Sequence, residues 1–175
     1  MEAPNGKNLD QFLVKRLHKE QVELVAQHIR GNKKSMEKMV DFATQYEGTV
    51  GMKASWILGA ASVQEFGSVN AFIPTIIDRL AHVQTAGIKR ELLKTILHSH
   101  FTESENLGKL VDLLFYYMRS NSEDISVSYN GIKVMQKVIK VFPELGDEFK
   151  DTLQHQMPYK SPTWQKLAKS TIAKL

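Results

Sequence analysis

A short pattern returns along this chain: apolar-x-x-apolar-apolar-Asp-x-apolar. It appears as Met36, Met39, Val40, Asp41 and Ala43, then as Ile73, Ile76, Ile77, Asp78 and Leu80. A third copy is Leu107, Leu110, Val111, Asp112 and Leu114, and a worn fourth keeps Phe149, Asp151 and Leu153. The aspartates are 37, 34 and 39 residues apart. A period in that range belongs to stacked helical hairpins, each unable to bury its apolar face without its neighbours.

Helical periodicity runs almost end to end, and strand-like alternation is absent. Breakers fall where hairpins turn: Gly31-Asn32, Gly48, Gly67-Ser68, Gly87, Asn121-Ser122, Pro143, and Pro158 to Pro162. Thr102 to Glu105 reads as a capping box, and Ser161-Pro162 places a cap residue before a first-turn proline. Asn70 as a cap would put Pro74 in a first turn, where a missing N–H costs nothing. Four hairpins follow, with ends set to about 2–4 residues. First helices are predicted over residues 35–47, 70–83, 105–119 and 144–156, and second helices over 51–65, 87–101, 125–141 and 162–174. Residues 8–30 supply an N-terminal capping segment, residues 1–7 are expected to be disordered, and 8–175 form a single domain.

The second helices align as well. Met52-Lys53, Ile88-Lys89 and Val127-Ser128 occupy matching places, 36 and 39 residues apart. Ile73-Pro74-Thr75-Ile76-Ile77-Asp78-Arg79-Leu80 resembles the proline-bearing first helix of a HEAT repeat. Val50-Gly51-Met52-Lys53 and Gly87-Ile88-Lys89 resemble the opening of its second helix. The resemblance covers residues 35–175. It implies an all-α, right-handed α-α superhelix of about four HEAT-like hairpins, used as a curved interaction surface. Two positions depart from the family pattern: the acid before the basic residue is missing at Thr85, and Ser128 replaces the basic residue. Both bear on any ladder of ion pairs between repeats.

At 175 residues the chain can bury a core without disulfides or metal, and it has no cysteine to supply thiolate chemistry. No secretory leader and no membrane-length apolar run is visible, so a cytoplasmic location is expected and a membrane partner is not.

Net charge is only +4, but its distribution is uneven. The first helices carry five basic residues against ten acidic ones, whereas the second helices carry ten basic residues opposed by Glu65 and Glu91 alone. In HEAT-like stacks the second helices line the concave side, which implies a basic inner face. Arg90, Lys94 and His98 step by four along one helix, as do Lys133 and Lys137, with Lys140 following. With Lys53, Lys89 and Lys169 these residues form the candidate partner-binding face. Helix dipoles and solvated surfaces account for part of the same asymmetry. Arg90 is the one arginine on that face, although bidentate phosphate recognition favours arginine.

Catalytic and cofactor signatures are weak. His98 and His100 point about 200° apart on a helix, so they do not grip one ion with Glu103 and Glu105. Gly48 to Lys53 is too short for a phosphate loop and reads as a hairpin turn, and no nucleophile elbow appears. No cofactor, metal or small-molecule substrate is indicated. Glu91, alone among cations, is the only candidate base. It would suit a DNA-glycosylase-like enzyme, but it reads more simply as a surface ion pair. Phe42, Phe72, Phe149 and Leu113 to Phe115 fall on core spacings. Trp56 and Trp164, near the starts of second helices, read first as buried between hairpins and otherwise as edges on the concave face that stack on a base or grip a peptide. Tyr116, Tyr117 and Tyr129 flank the third hairpin, with one of them expected at the surface. The expected function is a non-enzymatic interaction module taking an acidic protein segment, with nucleic acid as the alternative ligand.

Overall fold

The computed structural model describes residues 9–14, 16–100 and 106–175. Among them are ten α-helices and no strand. The helices follow the order α1 (Leu9–Val14), α2 (Lys19–Arg30), α3 (Lys33–Gln45), α4 (Gly48–Gln64), α5 (Ile73–Leu80), α6 (Ala86–Leu97), α7 (Asn106–Arg119), α8 (Ile125–Ile139), α9 (Gly146–Gln156) and α10 (Pro162–Ile172). They fall into two compact units, residues 1–102 and 103–175.

In the first unit α4 is the central helix, packed against α1, α2, α3 and α6, while α5 packs on α3 and α6. The recurring pattern is what buries these helices. Met36, Met39, Val40 and Ala43 are all buried, as are Ile73, Ile76, Ile77 and Leu80, because i, i+3, i+4 and i+7 share one helix face. Each of the methionine, valine, isoleucine and leucine side chains contributes about 1.5–3 kcal/mol when fully buried. In the second unit α7 packs on α8 and α9, and α10 packs on α8 and α9. Leu107, Leu110 and Leu114 are buried there, but Val111, the counterpart of Val40 and Ile77, is only half-buried.

The turns have specific chemistry. Gly48 starts α4 with φ +68°, a left-handed conformation that glycine adopts without strain. A β-carbon on Gly51 would overlap the Tyr46 carbonyl oxygen, so the α3–α4 turn closes directly on the helix backbone. Asn32 caps α3 through a bond from the Ser35 N–H, Asp124 caps α8 through Ser126, and Ser161 caps α10. Pro74 does sit in the first turn of α5, but Asn70 is not its cap. Asn70 lies in a preceding 3-10 turn, and its side-chain oxygen accepts from the His100 N–H at 2.9 Å. Gly87 lies inside α6 rather than in the turn before it. The expected capping box at Thr102 to Glu105 lies outside the described residues, as do residues 1–7. Phe149 and Phe115 are core, whereas Phe42 and Phe72 are half-buried, with Phe42 edge-on to Tyr46 at 5.3 Å.

Candidate functional site

The second helices of both units carry the residues singled out in the sequence. On α6, Arg90, Lys94 and His98 share one face, but they are not a bare cationic stripe. Glu91 is buried, with 5% of its surface exposed, and its carboxylate accepts from Lys94 Nζ at 2.8 Å and from Arg90 Nε at 3.3 Å. It is therefore a buried clamp and not a surface ion pair. Room for it comes from α4: a β-carbon on Gly59 would stand 3.0 Å from Glu91 Oε2. His98 ends α6 and donates from Nδ1 to the Lys94 carbonyl at 2.9 Å. His100 instead packs edge-on against Phe66 at 4.6 Å. Among the described residues no three His, Asp or Glu side chains gather as a metal would require.

Lys53 and Lys89 sit at the opening of their helices. Lys53 Nζ donates to the Leu13 carbonyl at 2.9 Å, satisfying a carbonyl in the last turn of α1. Lys89 lies in the electrostatic range of Glu47. Glu47 accepts from the Gln84 N–H at 2.8 Å, from the Thr85 N–H at 3.0 Å and from the Thr85 hydroxyl. Burial alone would raise its pKa. The bonds from Gln84 and Thr85, with the Lys89 charge, outweigh that and hold the carboxyl below its ordinary value.

In the second unit, Lys133 places its ammonium 4.7 Å above the Tyr129 ring centroid. Lys137 is half-buried, and burial pushes its pKa below the ordinary lysine value. Lys169 on α10 is exposed. The register between α8 and α10 is pinned by two bonds: Trp164 Nε1 to Ser128 Oγ at 2.8 Å, and Gln136 Nε2 to Thr171 Oγ1 at 2.6 Å. These partners are 36 and 35 residues apart, so Lys169, 36 residues after Lys133, is level with it. Neither α8 nor α10 contains a carboxylate.

The interlocking of helices one repeat apart is the sign of a tandem helical repeat. A family model for the HEAT repeat domain matches residues 9–175. The chain belongs to the HEAT repeat domain family. Searches among curated proteins and among solved structures returned no match. HEAT repeats generally mediate protein interactions as scaffolds and are typically non-enzymatic. No helix among the described residues is long and apolar enough to cross a membrane. The two departures from the HEAT pattern now have a physical reading. Where the acid is missing at Thr85, Glu47 from the preceding hairpin takes over the turn. Where Ser128 replaces a cation, its hydroxyl accepts from the indole of the next repeat.

The aromatic residues divide between core and surface. Trp164 is buried, but Trp56 is 36% exposed and lies on an open arc of α4 with Met52, Ala60 and Val63. Of the three tyrosines, Tyr116 is exposed, Tyr117 buried and Tyr129 half-buried. Trp56, Ala60 and Val63 share one face at the period-3.6 spacing, and such an arc resembles a core face in sequence.

Proposed function

We propose that this HEAT repeat domain is a non-enzymatic interaction module whose second-helix cations bind an acidic segment of a partner protein. The observation that carries this reading is the α8–α10 pair: Lys133, Lys137, Lys166 and Lys169 on two helices that contain no carboxylate. Like charges held in register cost stability, by a few tenths of a kcal/mol per close pair, and a partner's carboxylates relieve that cost. Lys133 over Tyr129 adds a stacking edge suited to a peptide. Arg90 and Lys94 of α6 contribute less, because Glu91 already engages both. Lys89 and His98 flank them, and Lys53 acts chiefly on α1.

The runner-up is nucleic acid at the same residues. It is weakened because the set holds a single arginine, Arg90, whose Nε already faces Glu91, whereas bidentate phosphate recognition favours arginine. An enzyme using Glu91 as base is weaker still, since that carboxylate is buried between two cations.

The test is fluorescence anisotropy of a labelled oligoglutamate peptide and of labelled duplex and single-stranded oligonucleotides, across a salt series. The Lys133→Glu/Lys137→Glu/Lys169→Glu variant, checked for unchanged helicity, is the control. Peptide binding that the variant loses supports the reading. Binding confined to the oligonucleotides, weakening steeply with salt as counterions are released, would replace it with the nucleic-acid reading. Equal peptide binding by the variant would move the site elsewhere.

A further inference from the structure

The first helices interact through a device that is complete in one unit and incomplete in the other. Between α3 and α5, Arg79 reaches back one repeat. Its Nη1 donates to Asp41 Oδ1 at 2.6 Å and to Thr44 Oγ1 at 3.1 Å. Asp41 is the aspartate of the recurring pattern, and Arg79 follows the aspartate of the next copy. The corresponding pair in the second unit is Asp112 on α7 and the residue after Asp151 on α9, which is Thr152. No guanidinium therefore comes from α9.

Arg119 occupies only part of the gap. It arises from α7 itself, lies 4.7 Å over the Phe115 ring and donates to Glu148 at 2.7 Å and Thr152 at 3.0 Å. It stands seven residues from Asp112, two turns along the same face. Asp112 itself has no hydrogen bond or ion pair among the described residues. Around it an open groove of about 760 Å³ runs along α7 to Leu145 and Glu148. That volume falls within the roughly 300–1,000 Å³ typical of ligand sites. Half-buried Val111, whose counterparts Val40 and Ile77 are covered, lies on its floor.

We infer that this groove binds an arginine side chain presented by a partner protein, which completes at Asp112 the contact that Arg79 makes at Asp41. The lining suits each part of that side chain. Asp112 is the counter-ion. Tyr116, one turn on and 58% exposed, offers a ring face for the planar guanidinium. Val111 and Leu145 take the methylenes. The charge of Arg119 does not oppose entry strongly, because Glu148 is already paired with it. The site is distinct from the second-helix cations and takes a ligand of opposite charge.

The test is an amide NMR titration of the full chain with N-acetyl-arginine amide at millimolar concentration. N-acetyl-citrulline amide serves as the neutral isostere and N-acetyl-lysine amide as the point-charge control. Arginine amide is expected to give saturable shifts confined to residues around 111–120 and 145–148. Citrulline amide should give none, and lysine amide should bind several-fold more weakly. Asp112 is exposed, so Asp112→Asn should fold normally, and it should weaken arginine binding by about tenfold, the loss of one charge-assisted contact. Lys133→Glu/Lys137→Glu/Lys169→Glu should leave the response intact, which separates this site from the acidic-segment reading. Equal shifts from arginine and citrulline, unchanged affinity in Asp112→Asn, or shifts centred elsewhere would each overturn the inference. A lysine response equal to that of arginine would overturn its specificity for the guanidinium.

Discussion

Trp164 donates its indole N–H to the hydroxyl of Ser128 at 2.8 Å, with both residues buried between successive second helices. Removing the acceptor strands a buried donor, which costs about 1–3 kcal/mol. Ser128→Ala is therefore expected to lower stability by that amount in a denaturant titration. Trp164→Phe costs more through lost packing. In the double variant the two losses should not add, since the second change removes the stranded group. Strict additivity would show that the bond contributes nothing.

Gly51 lies where a β-carbon would overlap the Tyr46 carbonyl oxygen and stand 2.8 Å from Ile88 Cδ1. The carbonyl belongs to a turn that cannot retreat without shifting α3 from α4. Gly51→Ala should cost about 1–3 kcal/mol despite alanine's better helix propensity. Gly108, whose β-carbon would meet nothing within 4 Å, is the matched control. Gly108→Ala should be stabilising by up to about 1 kcal/mol. Thermal melts of the two variants should move in opposite directions.

Glu47 is a pH-dependent brace for the turn into α6. Folding holds its carboxyl below the ordinary value of 4.5, so its contribution is complete above that value. The contribution is lost as the pH falls through the folded value. Glu47→Ala should lower stability by about 1 kcal/mol at neutral pH, in line with the loss of a helix-capping acceptor. The difference in melting temperature between the native chain and this variant should shrink as the pH falls below 4.5 and through the folded value, where Glu47 becomes protonated. A gap that does not change with pH would mean the charge is irrelevant there.

Lys53 and Lys133 were grouped by sequence but should separate by experiment. Lys53→Met removes a charged donor from the Leu13 carbonyl and should cost about 1–2 kcal/mol of stability, with little effect on acidic-peptide binding. Lys133→Met leaves the fold intact and should weaken that binding several-fold. Chemical denaturation beside peptide anisotropy reads both quantities. A binding loss in Lys53→Met equal to that in Lys133→Met would return Lys53 to the interaction surface.

The hairpins were legible because each of their ends has a local cause. Ser161 before Pro162 and the glycine at 48 act within one turn of where they stand, and the apolar spacing needs only the 3.6-residue period. Asn70 shows where local logic fails: it reads as a cap for α5, but the His100 N–H, thirty residues away, takes its oxygen. The same limit applied to charge. Lysine counts could place cations on the second helices, but whether Lys53 points at solvent or at a carbonyl 40 residues earlier depends on a neighbouring repeat. Glu91 looked like a surface residue because nothing nearby in sequence announces that Gly59 opens space for its carboxylate. Likewise, the gap at Asp112 emerges only when Thr152 is set beside Arg79.

The bonds that tie one repeat to the next span a narrow range of sequence, from 29 residues between Arg119 and Glu148 to 41 between Gln64 and Glu23. Every such tie therefore closes a loop of similar size and pays nearly the same chain entropy. Ordering can spread from hairpin to hairpin without waiting for a distant segment, which favours quick folding for a chain of this length. It also means that a whole hairpin could be duplicated or lost in evolution while the ties elsewhere kept their spans, so a lineage can alter its binding surface one hairpin at a time.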